Sequence, residues 1–330
     1  MNWPAPIREL ADAALEVSVV GSFSRVGFAA RRSLFDWDAE PQVDLAGRVV
    51  AITGATGGIG FAAACALAAR NAEVWLIGRD PQRTESCRRQ IATAVPGARL
   101  HTATADLGVL DDVRRLADTL LRELPRLDVL VNNAGALTHE LHYTPDSLEI
   151  TAQVHVVAPF LLTTALLPRL RATGGARVIT VSSGGMYTQA LDLAALSAPP
   201  DPFDGVRAYA NAKRAQVVLN ERWSRHPAAA GVTFHAMHPG WADTPGVQQA
   251  LPRFRALTRP LLRSPEQGAD TIVWLASAPA AVETSGGFWL DRRRRLTNPL
   301  PWTRPAPGAA DELWNWCAQR ARYTELEDAR

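Results

Sequence analysis

The stretch Arg48-Val-Val-Ala-Ile-Thr-Gly-Ala-Thr-Gly-Gly-Ile-Gly-Phe-Ala-Ala-Ala-Cys-Ala-Leu67 decides the fold. It opens on a β-branched run, Val49, Val50 and Ile52, of the kind that forms a buried strand. A glycine turn follows, with Gly54, Gly57, Gly58 and Gly60, and then an Ala-rich helical pattern to about Arg70. Strand, glycine turn and helix in that order aim free backbone N–H groups at a phosphate. Gly54 is expected to turn tightly, Gly58 to let a pyrophosphate approach, and Gly60 to let the helix sit close on the sheet. Thr53, Thr56 and Ile59 complete the loop as candidate cofactor contacts. The spacing is Thr53-Gly54-x-x-x-Gly58-x-Gly60 rather than G-x-G-x-x-G.

Working outward, strand and helix patterns alternate. Strands are expected at 73–77, 99–105, 127–131, 176–181, 232–237 and 288–290. Helices are expected at 81–95, 109–123, 145–170 (interrupted near Pro159), 206–226 and 265–276. Strands separated by helices of this length imply right-handed crossovers and a parallel sheet covered on both faces, a doubly wound α/β fold. Residues 1–44 read as an N-terminal arm, 45–298 as the sheet domain, and 299–330 as a Pro-rich connector with a last helix from Asp311 to about Leu326. In the arm, 9–20 has helical character. Ser22 to Trp37 mixes Phe23, Phe28, Phe35 and Trp37 with arginines, which fits either packing on its own domain or an interfacial amphipathic segment.

Composition narrows the class. The 330 residues are 47% hydrophobic with net charge +2, so the chain is globular and nothing in its charge demands nucleic acid. The run Arg292-Arg293-Arg294-Arg295 reads as a solvated edge. Cys65, Cys87 and Cys317 are scattered, without metal-ligand spacing or a disulfide framework. No secretory signal is visible and the apolar stretch 154–168 is short for a membrane span, so a cytoplasmic chain is the expectation, with peripheral membrane contact through the arm open.

Ligands on parallel sheets bind beyond the carboxyl ends of the strands. Here those ends carry the glycine turn, Gly78-Arg79, Asp106-Leu107, Asn132-Asn133-Ala134-Gly135, Ser182-Ser183, and His238-Pro239-Gly240-Trp241-Ala242-Asp243-Thr244. The Asp106 carboxylate is suited to an adenine amino group. Tyr209 and Lys213 lie four apart, on one helical face. A neighbouring ammonium would lower a phenol from its usual value near ~10 and let it exchange a proton with an alcohol or carbonyl. Ser183 can hold the same oxygen.

These motifs together resemble the short-chain dehydrogenase/reductase superfamily. The 26-residue gap between Ser183 and Tyr209 is similar to its retinol-dehydrogenase-like branch, and Met237-His-Pro-Gly-Trp-Ala-Asp-Thr-Pro-Gly-Val247 is similar to a narrower subgroup of it. The resemblance covers about residues 40 to 300. It implies a Rossmann fold, an oxidoreductase acting on a carbonyl or secondary alcohol, and catalytic roles for Ser183, Tyr209 and Lys213. It implies cofactor contacts at the glycines, Asn133 and Thr244. It also implies a homodimer or homotetramer built through the helices over 154–170 and 206–226. One departure stands out: the superfamily's fourth catalytic residue, an asparagine, aligns with His155. The second strand ends in Arg79, whose guanidinium suits the 2′-phosphate of NADP(H), although Asp80 beside it leaves NAD(H) possible. Trp241, Met186, Leu191 and Trp289 are candidate pocket residues for an apolar small-molecule substrate. The rival reading is a regulatory or scaffold protein that binds NADP(H) without the chemistry; the intact Ser183, Tyr209 and Lys213 set argues against it.

Overall fold

The computed structural model describes residues 4–323. Its centre is an eight-stranded sheet: β1 Val49–Thr53, β2 Glu73–Gly78, β3 Arg99–Thr104, β4 Val129–Asn132, β5 Ala176–Val181, β6 Val232–Met237, β7 Gly287–Leu290 and β8 Arg293–Arg295. The strand order is β3-β2-β1-β4-β5-β6-β7-β8. All pairings are parallel except β7 with β8. The chain reverses direction across the sheet between β3 and β4, so a crevice opens beside β1, where the doubly wound topology places ligands. β1 and β4 are fully buried because helices cover both faces.

Seven strands match the sequence reading to within one or two residues; β8 does not. A run of arginines has no apolar alternation, so nothing local marks it as a strand. It forms because β7 offers an edge: Trp289 pairs with Arg294 and Leu290 with Arg293.

The helix expected at 145–170 begins at Ile150 and runs as Ile150–Ala152, a π turn Gln153–Val157 and Ala158–Thr173. The irregularity falls one turn before Pro159, whose missing N–H and ring disturb the preceding hydrogen-bond ladder. The continuous stretch of 24 residues is apolar and long enough to cross a membrane, yet nearly all of it is buried inside the fold. It is a core helix.

Two appendages close the sheet. Among the described residues, the arm forms three α-helices, Ala5–Val17, Val19–Phe23 and Arg25–Leu34, and a short 3-10 turn Trp37–Ala39, laid against β8 and the loops after β5 and β6. The C-terminal helix, Ala309–Ala321, crosses Ala158–Thr173 and Gly205–Trp223; the expected continuation to Leu326 lies outside the described residues. Trp314 is wedged between Phe160 (centroids 5.0 Å apart) and Trp223 (4.5 Å). Leu313, Trp316 and Cys317 join the same buried cluster. The helix faces read as a subunit interface are thus covered within the chain itself.

Of the arginine run only Arg294 is exposed; the other three are paired. Arg295 donates to Asp12 Oδ2 (2.7 Å), Arg292 to Asp270 (2.6 Å) and Glu40 (2.8 Å), and Arg293 pairs with Glu9. Arg31, fully buried, donates to Asp12 (2.6 Å), Glu16 (2.9 Å) and Asp291 (2.9 Å). Burial alone would raise the Asp12 carboxyl, but hydrogen bonds from Arg295 and Arg31 outweigh it and hold the group at about 2.

Candidate functional site

The glycine turn is built as its spacing requires. Gly54 sits at φ +66°, and a Cβ there would lie 2.8 Å from Ala134 Cα. Gly58 sits at φ +53° against the Thr244 methyl. A Cβ on Gly60 would fall 2.4 Å from both the Asn133 amide and the Gly54 carbonyl, so only glycine lets the helix seat this closely. Ile59 turns its side chain towards Gly268, which leaves its backbone to the turn.

That helix, Gly58–Ala68, starts without a side-chain cap. Three other sheet helices carry side-chain caps: Asp80 caps Pro81–Ala94, Asp204 caps Gly205–Trp223, and Ser264 forms a capping box on Pro265–Ser277. The first turn of an eleven-residue helix, walled by glycine and without a capping side chain, fits a diphosphate, which would satisfy the free N–H groups and the positive end of the dipole.

Thr53 and Asn133 turn out to be braces. Thr53 Oγ1 accepts from the N–H groups of Asn133 (3.0 Å) and Ala134 (3.1 Å), and Asn133 Nδ2 donates to the carbonyls of Thr53 (2.9 Å) and Gly54 (3.2 Å). They lock the ends of β1 and β4 together, so their side-chain donors are spent on the chain. Asp106 Oδ1 accepts from Gly108 N–H (2.8 Å), which shapes the loop that carries Leu107. Gly240 takes φ +70° beside Arg263, where a Cβ would lie 2.4 Å from Nε, and Arg263 Nη1 reaches the Pro239 carbonyl (3.4 Å).

At the end of the second strand, Arg79 is exposed. Asp80, which was expected to compete with it, has a carboxylate oxygen held by Arg83 N–H as the helix cap (3.0 Å). Arg83 was missed: its guanidinium reaches the glycine turn, 3.3 Å from where a Gly57 Cβ would stand. The signal was available, since residues 79 and 83 are four apart at a helix start.

Ser183, Tyr209 and Lys213 meet at the carboxyl end of β5. The Asp204 cap fixes the helix start, with its carboxylate accepting from Val206 and Arg207 N–H. The Ser183 hydroxyl accepts from Gly185 N–H (3.1 Å), and its interaction with the Tyr209 phenol favours the ionised form. Lys213 Nζ donates to the Val181 carbonyl (2.7 Å) and lies 5.4 Å from the Tyr209 ring centre.

The tuning differs from the expectation. Burial pushes the Tyr209 phenol up, and the Ser183 hydrogen bond offsets only part of that. Burial also brings the Lys213 ammonium down to about 7. A lysine that readily loses its own charge does little to draw the phenol towards phenolate.

His155 sits on the π turn, buried, with its ring edge-on to Tyr209 at 5.3 Å. Its Nε2 meets the Ala136 carbonyl at 2.8 Å and the Ala136 N–H at 3.1 Å. Burial, then the Lys213 charge, pushes it well below the ordinary range, so it is neutral. Gly135 admits the ring: a Cβ there would meet His155 Cε1 at 2.7 Å. His155 Nδ1, Asn132 Oδ1 and Gln216 Oε1 lack partners among the described residues and belong to the lining of one internal cavity of about 20 Å³, room for a single water.

Of the expected pocket residues, Trp241 is half-buried against Phe23 and Phe254. Met186 is fully buried, Leu191 packs on the core, and Trp289 donates to His235 Nδ1 (3.1 Å) inside the fold. Among the described residues no group of His, Cys, Asp and Glu is placed to hold a metal.

Residues 48–253 match the short chain dehydrogenase family model, and the chain belongs to that family. It is an oxidoreductase of the kind that acts on CH–OH and C=O groups with a nicotinamide cofactor. Within the family it is similar to Dehydrogenase/reductase SDR family member 12 of Homo sapiens, 41% identical over 275 residues, which cover 82% of this chain and 86% of that protein. It is 31% identical to human Retinol dehydrogenase 12 over 83% of this chain and 86% of that one. The solved Pseudomonas aeruginosa RhlG/NADP active-site complex superposes with a TM-score of 0.62 at 26% identity, covering 76% of this chain and 96% of that one.

Proposed function

We propose that the protein is an NADP(H)-dependent reductase of a carbonyl on an apolar small molecule. The observation that carries this reading is the meeting of Ser183, Tyr209 and Lys213 at the carboxyl end of β5, with Lys213 Nζ on the Val181 carbonyl (2.7 Å) and 5.4 Å from the Tyr209 ring centre. A phenol kept protonated at neutral pH is poised to give a proton to an oxygen that is gaining negative charge, which is the demand of reduction. Ser183 shares that oxygen. Lys213 supplies a second charge-adjustable group behind the ring.

The dinucleotide, when bound, supplies the hydride. Arg83 presents its guanidinium at the glycine turn, exposed Arg79 follows the second strand, and Asp80 is committed to its cap; this arrangement favours a 2′-phosphate over a bare ribose. The glycine turn, Asp106, Leu107, Ala134, Gly135, Pro239, Gly240 and Thr244 then line the cofactor's path. The apolar character of the substrate is supported by the retinol dehydrogenase relative and by the aromatic side chains around Trp241.

Titration of NADPH and NADH against the purified protein, followed by turnover on a panel of ketones and aldehydes, tests the reading. Tighter NADPH binding with reduction of apolar carbonyls is expected; preference for NADH would overturn the cofactor assignment.

The arm also favours peripheral contact with a lipid surface. Ile7, Leu10, Val17, Val19, Val20 and Val26 are exposed on the arm, with Arg25 exposed among them. Flotation with anionic liposomes, with and without residues 1–44, checks it.

A further inference from the structure

The arm touches the catalytic edge through one ring. Phe23 closes the short helix Val19–Phe23 and stands between the loops that follow β5 and β6. A Cβ on Gly184, the residue after Ser183, would lie 2.7 Å from Phe23 Cε2, so the ring rests directly on that glycine. On its other side it meets His238 at 4.7 Å and Trp241 edge-on at 6.0 Å, and Trp241 meets Phe254 at 5.4 Å. Phe23, Trp241 and Phe254 are half-buried, so each keeps part of its surface open.

The backbone beneath Phe23 is held with unusual force for a surface arm. Trp241 N–H (2.8 Å) and Arg263 Nε (3.0 Å) both donate to the Phe23 carbonyl. Arg263 Nη2 (2.8 Å) and Arg31 Nη1 (3.0 Å) donate to the Ser22 carbonyl. The two arginines are fully buried and share the Asp291 carboxylate. Four donors on two consecutive carbonyls fix where this ring stands, and buried charge-assisted bonds of this kind confer position more than net stability.

We infer that Phe23 is a specificity-determining residue. With Trp241 and Phe254 it forms an aromatic shelf beside Ser183 that takes the face of a flat apolar carbonyl compound. The arm is thereby part of the active site. Aromatic faces favour offset or edge-on contact with another π system, so the shelf selects planar substrates over small aliphatic ones. This rests on the reductase reading above, and the test separates the two.

With NADPH as donor, 9,10-phenanthrenequinone is the planar probe and 2,3-butanedione the small one. Phe23→Ala is expected to lower the ratio of kcat/KM for the planar over the small probe about tenfold, chiefly through KM for the quinone, and Phe23→Trp to restore it. Phe23→Leu serves if the alanine variant fails to fold. An unchanged ratio overturns the proposal. Calorimetric binding of phenanthrenequinone to Tyr209→Phe, with and without Phe23→Ala, reads the shelf without turnover. If the intact chain reduces neither probe but Tyr209→Phe binds the quinone and loses it with Phe23→Ala, the reductase reading falls and the shelf stands. No quinone binding to Tyr209→Phe, or equal binding to both forms, sinks the shelf.

Discussion

The glycine turn at 53–60 and the arginine run at 292–295 are both short and both conspicuous in the sequence, yet one means what it appears to mean and the other does not. The turn's partners are mostly near neighbours in the fold's own logic: Ala134, Asn133 and Thr244, at the ends of adjacent strands. Backbone geometry specifies it, since a positive φ or a 2.4 Å approach excludes any side chain whatever lies further away. The arginines take most of their meaning from distant partners: Glu9, Asp12 and Glu40 lie more than 250 positions away, although Asp270 is only 22 from Arg292. Charge gives no address: a guanidinium reads alike whether it faces water or a buried carboxylate.

Experiments can break this contrast or sharpen it. The largest effect is expected at the site. Tyr209→Phe should lower kcat/KM about a thousandfold while NADPH affinity stays within about twofold; steady-state kinetics with fluorescence titration reads both, and a variant with most of its activity would remove Tyr209 from its role. In the arm, Asp291→Ala strands Arg31 and Arg263 without their shared carboxylate, at a cost of about 3–5 kcal/mol. Urea unfolding should show the loss, and limited proteolysis should release the arm first. At the opposite end, Trp314→Ala should cost about 3–5 kcal/mol by opening a cavity against Phe160 and Trp223. Light scattering should find the intact chain monomeric, and removal of the C-terminal helix should drive association through the bared faces.

pH separates the regions by sign. Lys213, at about 7 in the folded chain against about 10.4 when unfolded, penalises folding at low pH, and that penalty is relieved as pH rises from about 7 to 10. Lys213→Met should flatten that rise in melting temperature relative to the parent. Asp12, at about 2 folded against about 3.9 unfolded, contributes stability that is present above pH ~4 and lost as pH falls towards 2. Asp12→Asn should abolish that acid step. The smallest effect belongs to the exposed pair Arg32 and Asp38 on the arm's outer side: Asp38→Asn should leave the denaturation midpoint unmoved, because solvent screens the pair.

Much of the site was legible. Strand ends carrying Ser183, Asn133 and Pro239-Gly240 announced an edge, and four-residue spacing put Tyr209 and Lys213 on one face. Electrostatic tuning was not legible, because it depends on how much water reaches each group. The lysine's charge was expected to lower the phenol; burial instead raises the phenol and lowers the lysine. Thr53 and Asn133, candidate cofactor contacts, spend side-chain bonds inward, a direction that the sequence leaves open because a hydroxyl and an amide next to a ligand site look the same either way.

Period and glycine placement determined by themselves the parallel sheet, its crevice and the residues that gather there, because each rests on backbone geometry that a few neighbouring residues fix. Only the tertiary structure decided that the arm comes to the crevice through Phe23, that β8 forms from arginines, and that the last helix covers the faces of two others. Those outcomes turn on long-range pairing and on desolvation, which no local window of sequence contains.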